Sequence, residues 1–569
     1  MTGTGTAKAG PATGRRWTSL VGHGLRLRVS RRVRALSDIA HWREGTARTQ
    51  LDQLRALLHA ARLTRFGRER DFARLARQPR QDLLAAYRAA VPVADYYAYR
   101  AMIAEMREGG VPDVLWPGLV QDFAQTSGTT AGDKYIPVSR QMLRSNYLAA
   151  LDIFAHAHRF GVSLPFVTGG RVLFLGGSTE LSANRHGVRT GDLSGLVAPL
   201  IRWPISEIYS PGREIALMSH WPSKIEAMAR LCVEQDIRMV NGMPSWALVL
   251  FERVLELARA AGRRADTLAD VWPNLRLFVH GGVKYAPFDL RVREVWSGPR
   301  GDDLPCRLEL YPASEGFIAI QDTPHEPGLR LLTDIGNFYE FIPLEEIDAA
   351  INGEPGARAF TCDRVEPGQR YVVTMSTCAG LWRYVIGDVV EFDTVPDSLD
   401  GRPGWGGAGG RGGPARLRIV GRHRHFINAF GENLIVEHIE NAVAAAAGRT
   451  GLRIGEFTAA PVYAGPDTRP GLQLAVEVEG KAVAPGVMNE FREEFDRSLK
   501  AQNVDYTTKR TDDVGMAPPT ITPLPPGAFH RWMQARGKLG GQHKCPRCAN
   551  HREIIESVLA AAINDERRS

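Results

Sequence analysis

The chain has 569 residues, of which 44% are hydrophobic, 24% charged and 8% aromatic. These proportions are those of a globular protein, and they exclude a disordered, collagen-like or coiled-coil chain. No run of about 18 apolar residues is present, so the sequence predicts no membrane-spanning helix. The six cysteines are sparse and mostly isolated, which excludes a disulfide framework, and we expect a reducing, cytoplasmic location.

The net charge of +8 is concentrated at the beginning of the chain. Residues 1–50 contain ten Lys and Arg but only two acidic residues, whereas acids and bases balance in the rest. The body of the protein therefore gives no support for nucleic-acid binding. We expect residues 1–48 to form a basic, disordered arm, because Gly, Thr, Ala and Pro dominate its beginning. The alternative is a basic amphipathic helix over residues 17–36 that makes weak contact with an anionic membrane surface.

Beyond this arm, apolar residues recur with the periods of helices and strands. Leu51, Leu54, Leu57 and Leu58 share one helical face. Further helices are predicted over residues 80–90, 97–108, 224–234, 245–261, 435–447 and 487–499. Strands are predicted over residues 172–175, 275–280, 307–310, 317–320, 417–420 and 472–479. Helices that alternate with buried strands indicate an α/β protein.

A glycine-rich segment divides the body into two parts. Residues 401–413 contain eight glycines and predict a flexible loop. The pattern after this loop is that of a smaller α+β unit. We therefore predict a large domain over residues 49–420, which includes the loop, and a small C-terminal domain over residues 421–569.

The segment with the most specific chemistry is TSGTTAGDK, residues 126–134. Hydroxyl and backbone N–H groups in such a loop can bind a phosphate, with Lys134 as the counter-charge. The Gly-Lys-Ser/Thr ending of a Walker loop is absent. Taken alone, the segment fits an ordinary Thr/Gly surface turn equally well.

Four shorter segments carry further polar groups. Residues 311–316 follow a predicted strand and offer an aromatic ring, a hydroxyl and a carboxylate, which suit a base, a phosphate and Mg²⁺. Asp388 follows a glycine between apolar runs and could bind ribose hydroxyls. Arg422 follows Gly421, and residues 540–544 form a glycine-rich stretch that ends in an amine. Each segment alone is a weak signal.

In this order, the segments resemble the adenylate-forming superfamily, which includes firefly luciferase and the acyl-CoA synthetases. Within it, the chain is most similar to the auxin-responsive family of acyl-acid-amido synthetases, best known from plants. The matching elements are the Ser-Gly-Thr-Thr loop that ends in Lys134-Tyr135-Ile136-Pro137, the turn Tyr311-x-x-Ser314-Glu315, the stretch Arg383 to Val389, and the ending Gln542-x-Lys544-x-Pro546-Arg547. The likeness covers nearly all of the chain except the basic arm.

This resemblance implies a large N-terminal domain of mixed sheets flanked by helices and a smaller, mobile α+β domain. It implies a ligase that uses ATP and Mg²⁺ to convert a carboxylic acid into an acyl adenylate and then joins it to an amino acid or another amine. An adenylate-forming acyl-thioester (coenzyme A) ligase and a non-catalytic nucleotide-binding homologue are the alternatives. We expect a monomer with small-molecule partners, no nucleic acid and no integral membrane segment.

The resemblance also implies roles for single residues. The nucleotide would be bound by Ser127, Gly128, Thr129, Thr130, Lys134, Tyr311, Asp388 and Arg422. Among these, Tyr311 would lie against adenine, Asp388 would hold the ribose, and Arg422 would mark the hinge between domains.

Three residues are implied in the chemistry itself. Ser314 would approach the α-phosphate, and Glu315 would bind Mg²⁺. Lys544 would be the lysine that the small domain brings to the reacting carboxylate.

Overall fold

The structure is a computed structural model. It describes residues 16–126, 134–176, 181–197, 203, 205–218, 220–283, 285–406, 410–423, 426–427, 430, 432, 434–465, 468–478, 483–513, 515–535 and 545–566.

The helices of the described residues include long amphipathic segments and several single turns. In chain order they are α1 (Ser19–Ser37), α2 (Ile39–Ala61), α3 (Arg65–Glu69), α4 (Phe72–Leu75), α5 (Arg80–Ala90), α6 (Tyr96–Glu108), α7 (Arg140–Arg159), α8 (Leu164–Thr168), α9 (Leu193–Val197), α10 (Arg213–Ala216), α11 (Trp221–Val233), α12 (Pro244–Ala260), α13 (Leu268–Val271), α14 (Ala286–Ser297), α15 (Ile347–Ile351), α16 (Val436–Thr450), α17 (Pro485–Gln502), α18 (Val504–Arg510), α19 (Ala528–Ala535) and α20 (Glu553–Glu566). Among these helices, none offers the length and apolar surface that a bilayer crossing requires.

The strands of the described residues are mostly short. In chain order they are β1 (Asp122–Thr126), β2 (Lys134–Val138), β3 (Arg171–Phe174), β4 (Ser182–Ala183), β5 (Arg189–Gly191), β6 (Tyr209–Ser210), β7 (Ile237–Asn241), β8 (Leu277–Gly281), β9 (Arg307–Ala313), β10 (Gly316–Gln321), β11 (Leu329–Leu331), β12 (Phe338–Pro343), β13 (Tyr371–Ser376), β14 (Tyr384–Thr394), β15 (Arg416–Arg422), β16 (Phe426–Ile427), β17 (Leu434–Ile435), β18 (Ile454–Val462), β19 (Gly471–Val478) and β20 (Thr520–Leu524). The predicted α/β class is confirmed.

An eleven-stranded sheet forms the centre of the described structure, in the order β12-β13-β14-β15-β11-β10-β9-β8-β7-β3-β6. Strands β6, β3, β7, β8 and β9 are parallel, and they are connected through buried helices such as α11 and α12. From β9 onward every neighbouring pair is antiparallel. The change from parallel to antiparallel pairing at β9 places the β9–β10 turn at the carboxyl edge of the parallel strands, where α/β proteins commonly bind ligands.

The prediction of a disordered arm over residues 1–48 is wrong from residue 16 onward. Helix α1 packs on α7 and α8, with Val29 and Leu36 buried. Arg32 makes hydrogen-bonded ion pairs with Asp152 at 2.7 Å and with Asp334. The composition of this segment suggested a solvated arm because single arginines interrupt its apolar residues; the fold uses one of those arginines as an internal ion-pair partner.

The described part of the glycine-rich loop is held by backbone hydrogen bonds. Trp405 exchanges both of its backbone hydrogen bonds with Val395, at 2.8 and 3.0 Å. A Cβ atom on Gly412 would lie 2.5 Å from the backbone of Gly404. In these residues the glycines permit close backbone approach, so the described part of the segment predicted as a flexible loop is held by hydrogen bonds.

The C-terminal unit contains the three-stranded sheet β18-β19-β20, against which α16 and α17 pack. Its apolar core is continuous with that of the large unit. The ring of Phe288 on α14 contacts those of Phe430 and Tyr463 edge-on, at 5.7 and 6.3 Å. The predicted boundary at residue 421 falls inside β15, so the central sheet itself leads into this unit.

A buried cation lies at the contact between the two units. Lys509 on α18 places its ammonium 3.8 Å from the ring centre of Trp246 and 5.6 Å from that of Trp221. Burial lowers the pKa of Lys509 to about 8. A second buried lysine, Lys224, donates to the carbonyls of Ala216 and Gly176, and burial lowers its pKa to about 8 as well.

Candidate functional site

The β9–β10 hairpin provides the first group of predicted site residues. Its two turn residues are Ser314 and Glu315, both partly buried. Gly316 closes the turn with φ +149°, a conformation that L side chains rarely adopt, and a Cβ there would lie 2.9 Å from the Asn337 amide. The turn is therefore tightly defined, and it holds the hydroxyl and the carboxylate at the edge of the sheet.

Tyr311, Asp388 and Arg422 come together from three strands. The Tyr311 hydroxyl donates to one Asp388 oxygen at 2.6 Å, and Arg422 donates to the other. Asp388 on β14 faces Arg422 on β15 in the antiparallel register. Tyr311 is 3% exposed and Asp388 is 7% exposed, so these contacts are shielded from water.

The electrostatics of this cluster follow from burial and one shared charge. Burial and the Asp388 carboxylate raise the pKa of Tyr311 well above its ordinary value, so its hydroxyl stays protonated and donates. Although burial opposes the charged form, the Asp388 carboxylate keeps the pKa of Arg422 above its ordinary value. Asp388 thus accepts from two fixed donors, and a carboxylate retains lone pairs for further donors.

The local backbone requires a glycine before Asp388. Gly387 lies inside β14 with φ +98°, and a Cβ on it would lie 3.3 Å from the His423 ring. The His423 backbone N–H donates to the Gly387 carbonyl at 3.0 Å. The Gly-Asp pair, which reads as a turn from sequence, is an irregular point within a strand that presents Asp388.

Glu315 has a second set of neighbours. The Tyr384 hydroxyl hydrogen-bonds to its carboxylate, and the Lys134 ammonium lies close enough to act on its charge. Burial raises the pKa of Glu315, while Lys134 acts in the opposite direction. Lys134 itself lies 5.6 Å from the ring centre of Tyr96. The structure therefore brings Lys134, Glu315 and the Tyr311 cluster into one site.

The ends of the predicted phosphate loop are fixed beside this site. Thr126 on β1 pairs with Lys134 on β2 in an antiparallel register. Ser127, Gly128, Thr129 and Thr130 lie outside the described residues. Their predicted role remains a prediction, and the described geometry fixes only the two strands from which the loop departs.

Lys544 also lies outside the described residues. The segment that follows it is held on β18: Thr458 donates to the Pro546 carbonyl at 2.7 Å, and Arg547 pairs with Glu456 at 2.6 Å. Cys548 forms a parallel bridge with Ala459. The chain is thus attached to the small unit directly after Lys544.

Two groups on the strands of this site had no predicted role. Tyr384 lies in the stretch from Arg383 to Val389, and only the fold brings its hydroxyl to the Glu315 carboxylate. Glu309, two residues before Tyr311, has its pKa raised to about 7 by burial. A carboxylate inside the apolar run RLELY was the available signal for it.

Arg383 has a structural role at the beginning of β14. It is 7% exposed, and its guanidinium pairs with Glu340 at 2.8 Å and donates to the Val91 carbonyl at 2.9 Å. Its φ of +45° is unusual for a non-glycine residue. These contacts fix the beginning of β14, four positions before the site glycine.

Three profiles of one family match the chain: the GH3 family N-terminal domain over residues 35–203, the central domain over residues 330–398 and the C-terminal domain over residues 437–553. Together they cover more than half of the chain. The chain belongs to the GH3 family. The resemblance found from the sequence motifs is thereby confirmed.

Individual relatives agree with this assignment to GH3. The chain is 24% identical to a protein of Oryza sativa subsp. japonica named probable indole-3-acetic acid-amido synthetase GH3.12, over 90% of this chain and 93% of that protein. It superimposes on the solved structure of AtGH3.15 acyl acid amido synthetase in complex with 2,4-DB, with a TM-score of 0.53, 16% identity, and coverage of 98% and 97% of the two chains.

The fold extends beyond the GH3 family. A solved structure of 2-hydroxyisobutyryl-CoA ligase with its acyl adenylate and coenzyme A matches with a TM-score of 0.50 and 14% identity, over 92% of each chain. The GH3 chain therefore has the fold of adenylate-forming enzymes, with a large α/β unit and a smaller α+β unit.

Proposed function

We propose that this GH3 protein is an ATP-dependent acyl acid amido synthetase. The observation that carries the proposal is the convergence of Tyr311, Asp388, Arg422, Glu315 and Lys134 at one sheet edge in a GH3 chain. Its relatives are named amido synthetases. The acid and the amine are small molecules whose identity the site residues leave open.

The proposed reaction has two steps. A carboxylate oxygen of the acid attacks the α-phosphorus of ATP, the bond to the β-phosphate oxygen breaks, and pyrophosphate leaves. The nitrogen of an amine then attacks the acyl carbon of the adenylate, the bond to AMP breaks, and the amine loses a proton. The sum is acid, amine and ATP converted into amide, AMP and pyrophosphate. Activation is needed because a carboxylate is a poor electrophile with an oxide as its leaving group.

In this proposal, different residues contact the adenine, the ribose and the phosphates of the nucleotide. Tyr311 lies against adenine, and its hydroxyl holds Asp388 in place. Asp388 accepts hydrogen bonds from the ribose hydroxyls, and the hydrogen bond from Arg422 holds its carboxylate in position. Ser127 to Thr130 surround the phosphates, and Lys134 adds positive charge beside them.

Glu315 fits the proposed Mg²⁺. Among the described residues no group of three or more acidic, His or Cys side chains converges. This agrees with the usual way in which proteins hold Mg²⁺ with ATP, through one or two carboxylates and the phosphate oxygens. When bound, the metal would neutralise charge that develops on the phosphates. Tyr384 orients the Glu315 carboxylate for that purpose.

Lys544 and Ser314 complete the proposed site. Lys544 places a positive charge at the reacting carboxylate and the α-phosphate, where negative charge develops in the transition state. Ser314 donates a hydrogen bond to an α-phosphate oxygen. The small unit excludes water when it closes, because an acyl adenylate is hydrolysed readily. The free thiols of the described cysteines suit the reducing cytoplasm that we propose as its location.

The test is AMP formation from ATP and Mg²⁺ with pooled carboxylic acids, with and without pooled amino acids. We expect AMP to require both pools, and mass spectrometry of the amide then identifies both substrates. Glu315→Gln, which keeps the shape of the side chain, should lower the rate by about a hundredfold or more. Lys544→Ala should lower adenylation by a similar factor and leave ATP binding intact.

The control is Glu345→Gln, an exposed carboxylate next to β12, which should keep full activity. Coenzyme A supplied instead of the amino acids separates the alternatives. AMP release driven by the thiol and not by amines would replace the amide synthetase with a thioester ligase. Tight ATP binding without acid-dependent AMP, after a widened acid pool, would leave a nucleotide-binding homologue.

A further inference from the structure

Helix α1 has an outer face that the body of the protein leaves exposed. Its inner face is buried through Val29 and Leu36, while Leu20 is 66% exposed and Leu27 is 72% exposed. These two leucines are seven positions apart and lie on the same side of the helix. Two large apolar side chains of this exposure on one stripe are unusual on a helix that is otherwise folded against its protein.

Aromatic residues extend this stripe at both sides. The Trp17 ring, at the beginning of the helix, stacks on Trp203 at 6.2 Å, and Trp203 is 72% exposed. Arg28 lies over the ring of Tyr147 on α7 at 5.4 Å, and Tyr147 is 46% exposed. Trp and Tyr side chains that are partly exposed to water favour the boundary between the headgroups and the acyl chains of a membrane.

The same face is strongly basic. Exposed arginines of α1 and of the adjacent face of α7 surround the apolar stripe: Arg26, Arg28, Arg31, Arg34, Arg140 and Arg144. Helix α1 contains no acidic residue. Asp152 and Asp334, which lie on the body beneath this helix, are both paired with Arg32. Four of the ten basic residues among the first fifty are therefore exposed on this helix.

We propose that this face, defined by Trp17, Leu20, Leu27, Tyr147, Trp203 and the six arginines, docks the folded protein on an anionic lipid surface. The basic residues supply attraction to the headgroups, and the exposed leucines and tryptophans enter the interface. Leucines at the centre of the face favour lipid over nucleic acid, whose binding depends mainly on cations and phosphates.

The inner side of α1 makes this docking compatible with the fold. Arg32 anchors the helix to α7 and to the body, so the outer face can bind without release of the helix. The surface is thus a rigid, preformed patch. This proposal does not depend on the proposed reaction, and its test requires no substrate.

The experiment is cosedimentation of the full chain with phosphatidylcholine vesicles, with and without phosphatidylglycerol, at low and high salt. We expect binding only to the anionic vesicles and its loss at high salt. Arg26→Gln/Arg31→Gln/Arg34→Gln should weaken binding by about a hundredfold, because each cation near an anionic surface contributes a factor of about five. Leu20→Gln/Leu27→Gln should weaken it by about tenfold or more.

Matched controls carry the same chemical changes elsewhere. Leu63→Gln/Leu290→Gln alters two leucines that are 65% and 68% exposed, and Arg68→Gln/Arg449→Gln/Arg497→Gln removes three other arginines. Both controls should bind vesicles like the original protein, and thermal unfolding of all variants should show an intact fold.

Three results would overturn the proposal. The first is no binding to anionic vesicles. The second is binding that the arginine variant weakens while the leucine variant does not, which would indicate a general polyanion site. The third is self-association without lipid that the leucine variant abolishes, which would make the face an interface between copies of this chain.

Discussion

At the scale of single residues, the site depends on one carboxylate with two fixed partners. Asp388 accepts from Tyr311 and from Arg422, and both Asp388 and Tyr311 are buried. The motifs predicted each of these residues as a nucleotide contact. That Tyr311 and Arg422 also bind Asp388 directly could not be predicted, because they are 77 and 34 positions away in sequence and meet only through strand pairing.

Removal of the Tyr311 hydroxyl tests this arrangement. Tyr311→Phe keeps the ring but loses one hydrogen bond to a carboxylate, so we expect ATP affinity to fall by about tenfold. Asp388→Asn should have a larger effect and also lower the free energy of unfolding by about 3 kcal/mol, because it removes the carboxylate charge from the Asp388–Arg422 ion pair. Calorimetric titration with a non-hydrolysable ATP analogue and urea unfolding measure the two quantities.

Tyr339→Phe is the matched control for the tyrosine. Tyr339 is buried, and its hydroxyl donates to the Phe317 carbonyl at 2.9 Å. Its loss should reduce stability and leave the affinity for the nucleotide unchanged. Equal losses of affinity in both variants would show that the Tyr311 hydroxyl acts on the fold and not on the site.

At the scale of elements, helix α1 is the main difference between sequence and structure. Its sequence, SLVGHGLRLRVSRRVRALS, has no long apolar stripe, since arginines interrupt it. Periodicity reports the average character of a face and does not identify an arginine that will find two carboxylates. Asp152 and Asp334 come from distant parts of the chain, and only the tertiary fold brings them to Arg32.

Arg32→Leu tests this element. The substitution leaves the nearly fully buried Asp152 with Arg330 as its remaining described partner and removes the ion pair of Asp334. We expect the free energy of unfolding to fall by about 3 kcal/mol. Arg31→Gln, the exposed neighbour, should change it by less than about 0.5 kcal/mol. Urea unfolding followed by circular dichroism provides the comparison, and equal stability of both variants would contradict the anchoring role.

Truncation gives a second prediction at this scale. Deletion of residues 1–15 should leave the unfolding midpoint unchanged, because this segment is mostly Gly, Thr, Ala and Pro and has no large apolar side chain after Met1. Deletion of residues 1–48 should lower the midpoint strongly, because it removes α1 and the first turns of α2 with the buried Trp42. Equal unfolding midpoints for the two truncated chains would show instead that residues 16–48 contribute nothing to stability.

At the scale of the whole molecule, the two units share one apolar core and a buried cation. Lys509 comes from the small unit, and Trp221 and Trp246 come from the large one. Burial holds the pKa of Lys509 near 8, below its ordinary 10.5. In the unfolded chain the same amine keeps its proton up to about pH 10.5. The contact between units is therefore coupled to pH.

The sign of this coupling can be measured. Between about pH 8 and pH 10.5 the unfolded state binds a proton that the folded state has lost, so the free energy of unfolding should rise with pH. Below that window both states are protonated, and the full cost of the buried charge is present. For Lys509 the total is about 3 kcal/mol. Lys509→Met should remove the share of this rise that Lys509 contributes, and it should be no less stable at neutral pH.

Lys500→Met serves as the control, since Lys500 is more exposed and pairs with Asp496 at 2.8 Å. It should retain the rise of stability with pH. Lys224, which is also buried, contributes a rise over the same window, so the double variant Lys224→Met/Lys509→Met should flatten the curve further. If the free energy of unfolding of Lys509→Met changes with pH in parallel with that of the original protein, folding does not change the pKa of this amine.

The α/β class and most strands and helices of the body could be predicted from the sequence, and its motifs supplied the hypothesis for the residues of the candidate site. Helix 80–90 and the strands around residues 172, 307 and 417 were predicted within a few positions. These features are local: hydrophobic period, capping residues and short motifs are properties of neighbouring positions. The family resemblance likewise rested on short segments in a fixed order.

Which of these residues meet depends on the tertiary fold. The Asp388 carboxylate acquires its donors, Glu315 acquires Tyr384 and Lys134, and Arg32 acquires its two acids through contacts between distant segments. The exposed face of α1 could not be predicted for the same reason, because the exposure of a side chain depends on how every other element packs. Such contacts depend on the balance of burial, pairing and desolvation at one place in space, and no local pattern records that balance.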